Sequence, residues 1–451
     1  MVKPNPFIIV ESTRFSAFDP FKVKNVVWLK ALIFCNKFTT AFSNSLSMDS
    51  FPKSLNPNKH LREQFVSNLP GSSMLEVSAL LNNVALLMLL RHTFCSQTVN
   101  ELTLCLTWKD LMLQGQAYHL IGLLRGKILQ MFITCLCILA VDFRIYPRDY
   151  AKTETYGTSL MDLGVGSFVL MNAVTSRQAR NIKSSMSWWK AAFKSTTPLL
   201  LLGFARLAST LSLDYQVHVG EYGVNWNFFF TLAGVSILTS ILNVPAEYSG
   251  ILGSVILVGY QSWLTNGLNV YLLSNERGTD VISRNKEGIF SLFGYWGMYL
   301  VGVQVSYYLF FENHTTKQRS KHETRIRICL LTIMFWILTL LIDRYVERIS
   351  RRMCNLAYVT WVVAQNLQLL ALRLLADNII GHKTLCLERA FDRNLLASFL
   401  VANLLTGLVN LSVDTIFVSP LSAVLILVSY SLTLCVVMVL IDFSGVKYKF
   451  W

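Results

Sequence analysis

Charged side chains are scarce in this sequence, and their scarcity excludes most soluble architectures. Only 15% of the 451 residues are Asp, Glu, Lys or Arg, whereas soluble domains average about 25%. Cysteine is also sparse, because nine cysteines are too few for a disulfide scaffold in a chain of this length. The sequence has no collagen-like repeat, and its 53% hydrophobic content is too high for intrinsic disorder.

Acidic residues are fewer than basic ones, 26 against 40, which gives a net charge of +14. In a nucleic-acid-binding domain, such an excess clusters on one face of a water-soluble fold. Here the charges stand in short runs between long apolar stretches, so no nucleic-acid partner is expected. The pattern is typical of a polytopic membrane protein whose cytosolic loops are rich in lysine and arginine.

Long apolar stretches predict an all-α, polytopic integral membrane protein. A bilayer core of about 30 Å requires roughly 20 apolar residues per helix, and by this measure the chain has about eleven candidate spans. They are Met74–Leu90, Ile128–Phe143, Gly157–Thr175, Thr197–Leu213, Asn227–Val244, Gly250–Leu268, Ile289–Phe311, Ile328–Ile342, Leu356–Ala376, Leu395–Ser412 and Leu421–Phe443. No loop between them is long enough for a soluble domain, so residues 61–451 are predicted to form one multi-span membrane domain.

Residues 1–60 differ from the rest of the chain. Their apolar stretch Asn25–Phe34 is interrupted by Lys30, is too short for a span and lacks the cleavage site of a signal peptide. We expect residues 1–60 to be a poorly ordered N-terminal extension. Residues Arg91–Lys127 have mixed polarity and contain no clear span.

Basic loops predict the orientation of the chain in the membrane. Arg177–Lys194 contains five basic residues and no acidic one, and Glu312–Arg327 is net basic as well, so both are expected in the cytosol. Four spans separate the two loops, so both lie on the same side of the membrane. Counting the spans onward places the C-terminus in the cytosol. There, Lys447 and Lys449 match the K-x-K-x-x retrieval signal, which predicts residence in the endoplasmic reticulum membrane.

The same count places five loops on the lumenal side, and these loops hold most of the unusually placed polar residues. They are Arg144–Tyr156, Asp214–Trp226, Asn269–Gly288, Asp343–Asn355 and Val413–Pro420. Asp343–Asn355 is net basic, against the charge rule, so its arginines need another role. Ionisable residues at such positions of membrane proteins are functional candidates by default.

The first lumenal loop holds the leading catalytic candidate. Asp142 closes an apolar span at the membrane edge, where partial burial suits a general base. Alternatively, Asp142 caps its helix or pairs with Arg144 or Arg148. Lys152 and Glu154 follow in the same loop.

Charged residues inside the next two spans suggest an ion pair. Asp162 lies in a helix whose glycines, Gly164 and Gly166, allow neighbouring helices to approach closely. Arg206 lies in the following span. An Asp162–Arg206 pair is therefore predicted, with a structural role favoured over a catalytic one.

Several other lumenal polar residues are candidates. His218, in an aromatic-rich stretch with Glu221, could act as a base or hydrogen-bond donor, although the aromatic residues alone fit an interfacial belt. The remaining candidates of these loops are Asn285, Arg351, Arg352 and Asn355. Paired arginines at a membrane surface typically bind lipid headgroups or phosphate.

An amide-rich stripe lies on one face of the Leu395–Ser412 span. Asn403, Thr406, Asn410 and Asp414 recur at helical spacing, which fits either helix–helix contact or substrate contact. The sequence has no Gly-rich phosphate loop, nucleophile elbow or metal-spaced His/Cys set. Neither a metal nor a resident cofactor is therefore predicted.

Several long blocks resemble the glycosylphosphatidylinositol (GPI) inositol acyltransferases, also called the GPI-anchored wall transfer protein family. The blocks are REQFVSNLPGSS (62–73), AVDFRIYPRDYAKTETYGTSLMDLGVGSFV (140–169), EYGVNWNFFFT (221–231), NKEGIFSLFGYWGMYLVGVQ (285–304), SRRMCNLAYVTW (350–361), NLLTGLVNLSVDT (403–415) and the terminal FW. They occur in the family's order and cover the chain from about Leu129 onward, plus the short block around Phe65.

The resemblance implies an enzyme of the endoplasmic reticulum that moves a fatty acyl chain, typically palmitoyl, from acyl-CoA to the 2-hydroxyl of inositol in glucosaminyl-phosphatidylinositol. It makes Asp142 and Lys152 the leading catalytic residues. Asp142 would take the proton of the attacking hydroxyl, and Lys152 would orient Asp142 or stabilise the oxyanion on the thioester carbonyl. The substrate-binding candidates are Arg148, Glu154, Asp162, His218, Glu221, Asn285, Arg351, Arg352, Asn355, Asn403 and Asn410.

This sequence departs from the family pattern in three places. Asp149 stands where the family usually has a second basic residue, and Asn225 stands where it usually has His. The family also has about thirteen spans, two of which normally lie where Arg91–Lys127 is short and polar. The alternatives left open are an inactive or truncated copy acting as a membrane scaffold and, from composition alone, a transporter.

Overall fold

The structure is a computed structural model, and it describes Phe65, Leu69 and residues 71–83, 131–182, 188–212, 219–311, 321–380 and 386–445. Regular structure in these ranges is helical, and the β structure there is a single bridge between Ser72 and Thr158. The predicted all-α membrane fold is confirmed. The predicted extension, residues 1–60, and the polar segment Arg91–Lys127 lie outside the described residues.

Helices account for nearly every predicted span. The main ones are α1 (residues 74–83), α2 (Met131–Ala140), α3 (Leu160–Val174), α4 (Trp188–Ser212), α5 (Phe228–Leu242), α6 (Ala246–Trp263), α7 (Lys286–Ser306), α8 (Lys321–Tyr345), α9 (Leu356–Ile380), α10 (Cys386–Arg393), α11 (Leu395–Ser412) and α12 (Pro420–Phe443). Short helices at Arg148–Tyr150, Val219–Tyr222, Asn269–Leu273 and Val281–Arg284 lie in the connections.

Four helices of the described ranges are long and apolar enough to cross a membrane. They are α7 together with the π-helical turn Tyr307–Phe311 that continues it, α8 from His322 onward, α11 and α12. Apolar segments of 10–17 residues occur in α2, α3, α5 and α9, and the helices α3 and α5 are shorter than the predicted spans. In α3 the reason is a cap, because Ser159 Oγ accepts a hydrogen bond from Asp162 N at 3.1 Å. The helix therefore begins after Ser159.

Glu76, which interrupts the first predicted span, belongs to a capping box. Its carboxylate accepts from Ser73 N at 3.0 Å, and Ser73 Oγ accepts from Glu76 N at 3.2 Å. These reciprocal bonds satisfy free amides at the start of α1. Farther along, Ser78 Oγ donates to Gln365 Oε1 of α9 at 2.6 Å, so polar side chains attach α1 to the bundle.

Helix α7 lies at the centre of the fold and packs against α3, α5, α6 and α9. Glycines permit this packing. A Cβ at Gly294 would collide with the carbonyl of Cys354, and one at Gly297 would lie 2.5 Å from Leu257 Cγ. Because Gly294 has no side chain, the connection that precedes α9 lies directly against α7.

The predicted lumenal loops meet at one face of the bundle. Gly157 N donates to Ile349 O at 2.8 Å, which joins the α2–α3 connection to the α8–α9 connection. Val224 N donates to Arg284 O at 3.1 Å, which joins the segments before α5 and α7. The guanidinium of Arg144 lies 5.5 Å from an aromatic ring of the α11–α12 connection. The five loops therefore share a face, as the parity of the spans predicts.

Candidate functional site

A chain of ion pairs, Lys152–Glu221–Arg351–Asp162, lies at this shared face. Lys152 Nζ is 2.9 Å from Glu221 Oε1, which is 3.1 Å from Arg351 Nη1, and Arg351 Nε is 2.8 Å from Asp162 Oδ1. Asp162 and Arg351 are buried, whereas the Lys152 side chain is 40% exposed. The chain of ion pairs thus runs from a closed end at Asp162 to an open end at Lys152.

Asp162 is fixed at the closed end. Its Oδ2 accepts from Thr153 N at 3.2 Å and from Thr153 Oγ1 at 2.7 Å, while its Oδ1 accepts from Arg351. Tyr358 Oη donates to the Asp162 carbonyl at 2.7 Å. Because both carboxylate oxygens have internal donors, Asp162 joins the α2–α3 connection to Arg351, and its predicted substrate contact stays a prediction.

The predicted pairing of Asp162 with Arg206 is wrong, because the partner of Asp162 is Arg351, 189 positions away. The charge of Arg206 acts instead on Glu221 and helps to lower its pKa. Burial raises the pKa of Glu221, but Lys152 and Arg351 outweigh burial and hold the value at about 2. Glu221 is therefore ionised at any physiological pH.

A second ion-pair cluster, Arg277–Glu287–Arg352, lies at the start of α7. Glu287 is fully buried; its Oε1 is 2.6 Å from Arg277 Nη2 and 3.0 Å from Arg352 Nη2. Arg352 also donates to Leu272 O at 3.1 Å. Arg351 and Arg352 thus each neutralise a buried carboxylate of another element, which explains why basic residues occur in a loop predicted to be lumenal.

Lys286 is fully buried and closes the loop before α7. Its Nζ donates to the carbonyl oxygens of Tyr271, Ser274 and Glu276 at 2.7, 2.9 and 3.0 Å. The Tyr271 carbonyl lies in the last turn of the helix Asn269–Leu273, and the Ser274 carbonyl belongs to its C-cap residue. A cation is favourable at this position because it satisfies free carbonyls and the helix dipole. Lys286 therefore fixes the loop that carries Arg277.

Glu347 joins four elements through neutral donors. Its carboxylate accepts from Tyr156 Oη at 3.0 Å, Asn269 Nδ2 at 3.2 Å, Gln261 Nε2 at 2.7 Å and Asn355 Nδ2 at 3.1 Å. Burial and the neighbouring Glu347 raise the pKa of Tyr156 to about 12. Asn355 also accepts a hydrogen bond from a backbone amide in the first turn of α9, so it caps that helix.

Asp142 follows the end of α2 and is half-buried. Asn410 Nδ2, on α11, donates to Asp142 Oδ2 at 2.8 Å. Lys152 was predicted to orient Asp142 or to stabilise an oxyanion. Both Glu221 oxygens accept from Lys152, while Asp142 contacts Asn410, and both roles predicted for Lys152 stay predictions.

Arg148 lies beside the same carboxylate. Its Nη2 donates to the two backbone carbonyls that flank Asp142 at 2.6 and 3.3 Å, and its guanidinium lies 4.0 Å from the Phe65 ring centroid. Burial lowers the pKa of Arg148, while Tyr146 and Asp142 act in the opposite direction. Within the part of the chain that the structure describes, Arg148 Nη1 and Asn410 Oδ1 are buried without a hydrogen-bond partner.

Other predicted site residues have local contacts. Asn403 donates to a carbonyl of its own helix at 2.7 Å, so Asn410 is the residue of the amide stripe that reaches Asp142. Asn285 Oδ1 accepts at 2.8 Å from a backbone amide of the EYGVNWN block. Glu154 is exposed, and His218 lies outside the described residues.

Sequence reasoning missed Arg277, Glu287 and Glu347 as parts of the site. Glu287 directly precedes the strong span Ile289–Phe311, and a buried carboxylate there requires a cation, so a signal existed. Arg277 shows no comparable pattern. Among the residues that the structure describes, no group of three or more His, Cys, Asp or Glu is placed to hold a metal ion.

Comparisons with known proteins point to one family. The GWT1 family model matches residues 114–441. An uncharacterized protein of Arabidopsis thaliana is 61% identical over 325 residues, which cover 72% of this chain and 74% of that protein. GPI-anchored wall transfer protein 1 of Gibberella zeae is 40% identical over 364 residues, 71% of this chain and 72% of that protein. The glucosaminyl-phosphatidylinositol-acyltransferase PIGW of Bos taurus is 34% identical over 395 residues, with 76% and 77% covered.

Proposed function

The chain belongs to the GPI inositol acyltransferase family, and we propose that it transfers a palmitoyl chain from acyl-CoA to the 2-hydroxyl of inositol in glucosaminyl-phosphatidylinositol. It is an acyltransferase of GPI-anchor biosynthesis in the endoplasmic reticulum membrane. The name of the Bos taurus relative supports the acceptor lipid. The acyl donor and the acylated hydroxyl rest on the resemblance of the sequence blocks.

The contact between Asp142 and Asn410 carries the assignment of the base. Asn410 Nδ2 fixes the position of one Asp142 oxygen at 2.8 Å, and we assign removal of the hydroxyl proton to this carboxylate. Arg148 Nη1 and Asn410 Oδ1, both buried and without partners in the described residues, offer a donor and an acceptor beside it. A phosphate or hydroxyl of the acceptor lipid would satisfy these atoms.

We propose the following reaction. Asp142 removes the proton of the inositol hydroxyl as its oxygen attacks the thioester carbonyl carbon, and a C–O bond forms. Lys152 stabilises the oxyanion: two of its three N–H groups bond Glu221 at 2.9 and 3.0 Å, and within the described residues the third has no protein acceptor and can donate to the substrate. When the C–S bond breaks, the CoA thiolate takes the proton back from Asp142.

Two of the three departures from the family pattern, Asn225 and Asp149, are compatible with activity. At Asn225, the contact with Asn285 Oδ1 is made by the backbone amide at 2.8 Å, which any residue except proline supplies. Asp149 is exposed and lies outside both ion-pair clusters. These observations favour an active enzyme over a membrane scaffold.

We place the site on the lumenal side of the membrane. The loops that form it alternate with the basic loops Arg177–Lys194 and Glu312–Arg327, which the positive-inside rule assigns to the cytosol. The basic residues of the site loops are engaged in ion pairs with Glu221, Asp162 and Glu287, so they do not contradict that assignment.

Membranes from cells that lack their own inositol acyltransferase, supplied with this protein, provide the test. With labelled palmitoyl-CoA and glucosaminyl-phosphatidylinositol, the wild-type protein should form acylated lipid. Asp142→Asn should lower the rate at least about a hundredfold, the contribution typical of a general base. Asp149→Asn, which removes an exposed carboxylate of the same loop, should leave the rate unchanged. Full activity of the Asp142→Asn protein would eliminate the base assignment.

A further inference from the structure

The segment that precedes α1 is attached to the α2–α3 connection, which also carries Asp142. Ser72 N donates to Thr158 O at 2.8 Å, and Thr158 Oγ1 donates to Ser72 O at 2.7 Å. Gly71 has a φ of +76°, and a Cβ at this position would lie 2.5 Å from Thr153 Cγ2 and 2.6 Å from the Thr158 carbonyl oxygen. Glycine suits both the positive φ and the close approach, so the two segments are held together at this point.

The same segment places Phe65 against Arg148. The guanidinium carbon of Arg148 lies 4.0 Å from the centroid of the Phe65 ring, and an arginine is attracted to an aromatic face within about 6 Å of its centroid. Both residues are half-buried, and partial removal from water strengthens this attraction. The contact gives a role to the block REQFVSNLPGSS (62–73), which the ion-pair clusters of the site do not explain.

Arg148 in turn holds the backbone on both sides of Asp142. Its Nη2 donates to Val141 O at 2.6 Å and to Phe143 O at 3.3 Å. These two residues follow the end of α2, where carbonyls lack helical donors and a cation is favourable. The Nε of Arg148 donates to Tyr146 O at 3.3 Å. The guanidinium therefore fixes the turn from which the Asp142 carboxylate projects.

We propose that Phe65 is a positioning residue of acyl transfer: its ring holds the Arg148 guanidinium against the backbone around Asp142. This inference rests on the proposed function, in which Asp142 is the base. Asn410 holds the carboxylate itself from α11, at 2.8 Å, so the carboxylate and its backbone are fixed from two parts of the fold. A displaced base lowers the rate of proton transfer, whereas substrate affinity is little affected.

Replacement of Phe65 by leucine separates the attraction of the ring from simple burial. Phe65→Leu keeps a large apolar side chain but has no aromatic face, whereas Phe65→Tyr keeps the face. In the membrane assay with palmitoyl-CoA, kcat per folded enzyme should fall about tenfold in Phe65→Leu and recover in Phe65→Tyr. The KM for palmitoyl-CoA should stay at the wild-type value in both variants.

Phe417 provides a matched control on the same face of the bundle. The guanidinium carbon of Arg144 lies 5.5 Å from the Phe417 ring centroid, and both side chains are exposed. The carbonyls beside Asp142 accept from Arg148 and not from this second arginine. Phe417→Leu therefore removes the same kind of contact and should keep the wild-type kcat.

Fluorinated phenylalanines at position 65 keep the shape of the side chain, so this test does not depend on how Phe65→Leu folds. Each added fluorine weakens the negative face of the ring. The kcat should fall stepwise from phenylalanine to the trifluoro derivative, by about threefold in total, and the same series at position 417 should leave it unchanged.

The outcomes separate this inference from the proposed function. A wild-type kcat in Phe65→Leu, or a constant kcat across the fluorinated series at position 65, overturns the positioning role and leaves the proposed function standing. A constant kcat across the series does so even where Phe65→Leu is slow, because the side chain then acts by its shape alone. A wild-type protein that makes no acylated lipid overturns the proposed function and this inference together.

Discussion

Glu221→Gln should both destabilise the folded protein and displace Lys152. The cations Lys152 and Arg351 hold the pKa of Glu221 at about 2, although burial acts to raise it from its ordinary value of 4.5. A shift of this size corresponds to about 3 kcal/mol in favour of the ionised form. Gln preserves the shape and removes the charge. The expected loss in the free energy of unfolding is about 2–3 kcal/mol, because solvent screens part of the contribution of the half-exposed Lys152.

Unfolding of the purified protein in detergent would measure this loss, with Glu276→Gln as the matched control. Glu276 is an exposed carboxylate of a neighbouring loop, so its substitution should change the free energy of unfolding by less than about 0.5 kcal/mol. The rate of acyl transfer should also fall in Glu221→Gln, since Lys152 loses its anchor. A Glu221→Gln protein as stable as the control would refute the ion-pair chain as a stabilising element.

Three further results are expected. The folded-state pKa of Glu221 lies below its unfolded value, so the stabilisation that Glu221 contributes is present above about pH 4.5 and is lost as the pH falls towards 2. Across this window, the free energy of unfolding should decline less in Glu221→Gln than in the wild-type protein. Lys286→Met leaves three carbonyls without their donor and should lower the free energy of unfolding by about 2–4 kcal/mol. Trypsin should then cleave solubilised protein faster within residues 275–280. Unchanged cleavage would count against the role of Lys286 in fixing this loop. A cysteine at exposed Glu154 should react with a membrane-impermeant maleimide in sealed microsomes only after permeabilisation, and one at exposed Lys194 should react immediately; the reverse pattern would refute the lumenal assignment.

The meeting of the site loops at one face of the bundle could be predicted from the sequence. Alternate loops of a helical membrane protein lie on the same side, so the loops that carry Asp142, Glu221 and Arg351 were expected together, and the structure joins them. The amide stripe of α11 was also visible from its spacing. Its two possible roles divide between residues, since Asn403 bonds its own helix and Asn410 contacts Asp142.

Individual partners could not be predicted in the same way. Arg351 and Asp162 are separated by 189 positions, and Asn410 and Asp142 by 268. Helical periodicity relates residues within a few turns, so it gives no information at such distances. The pairing of Asp162 with Arg206 relied on neighbouring spans, but the α8–α9 connection packs against α7 and brings Arg351 closer. The length of the third span was overestimated for a different reason, because Ser159 is an N-cap and α3 begins only after it.

Identification of the acylated product is the most direct test of this enzyme's chemistry. Lipid formed by the wild-type protein from palmitoyl-CoA and glucosaminyl-phosphatidylinositol should be fragmented in a mass spectrometer, and the position of the new ester determined. We expect palmitate on the inositol ring at the 2-hydroxyl, with the glucosamine and the glycerol unchanged. Absence of any acylated lipid from well-folded protein, or palmitate attached to a different hydroxyl, would contradict the proposed function.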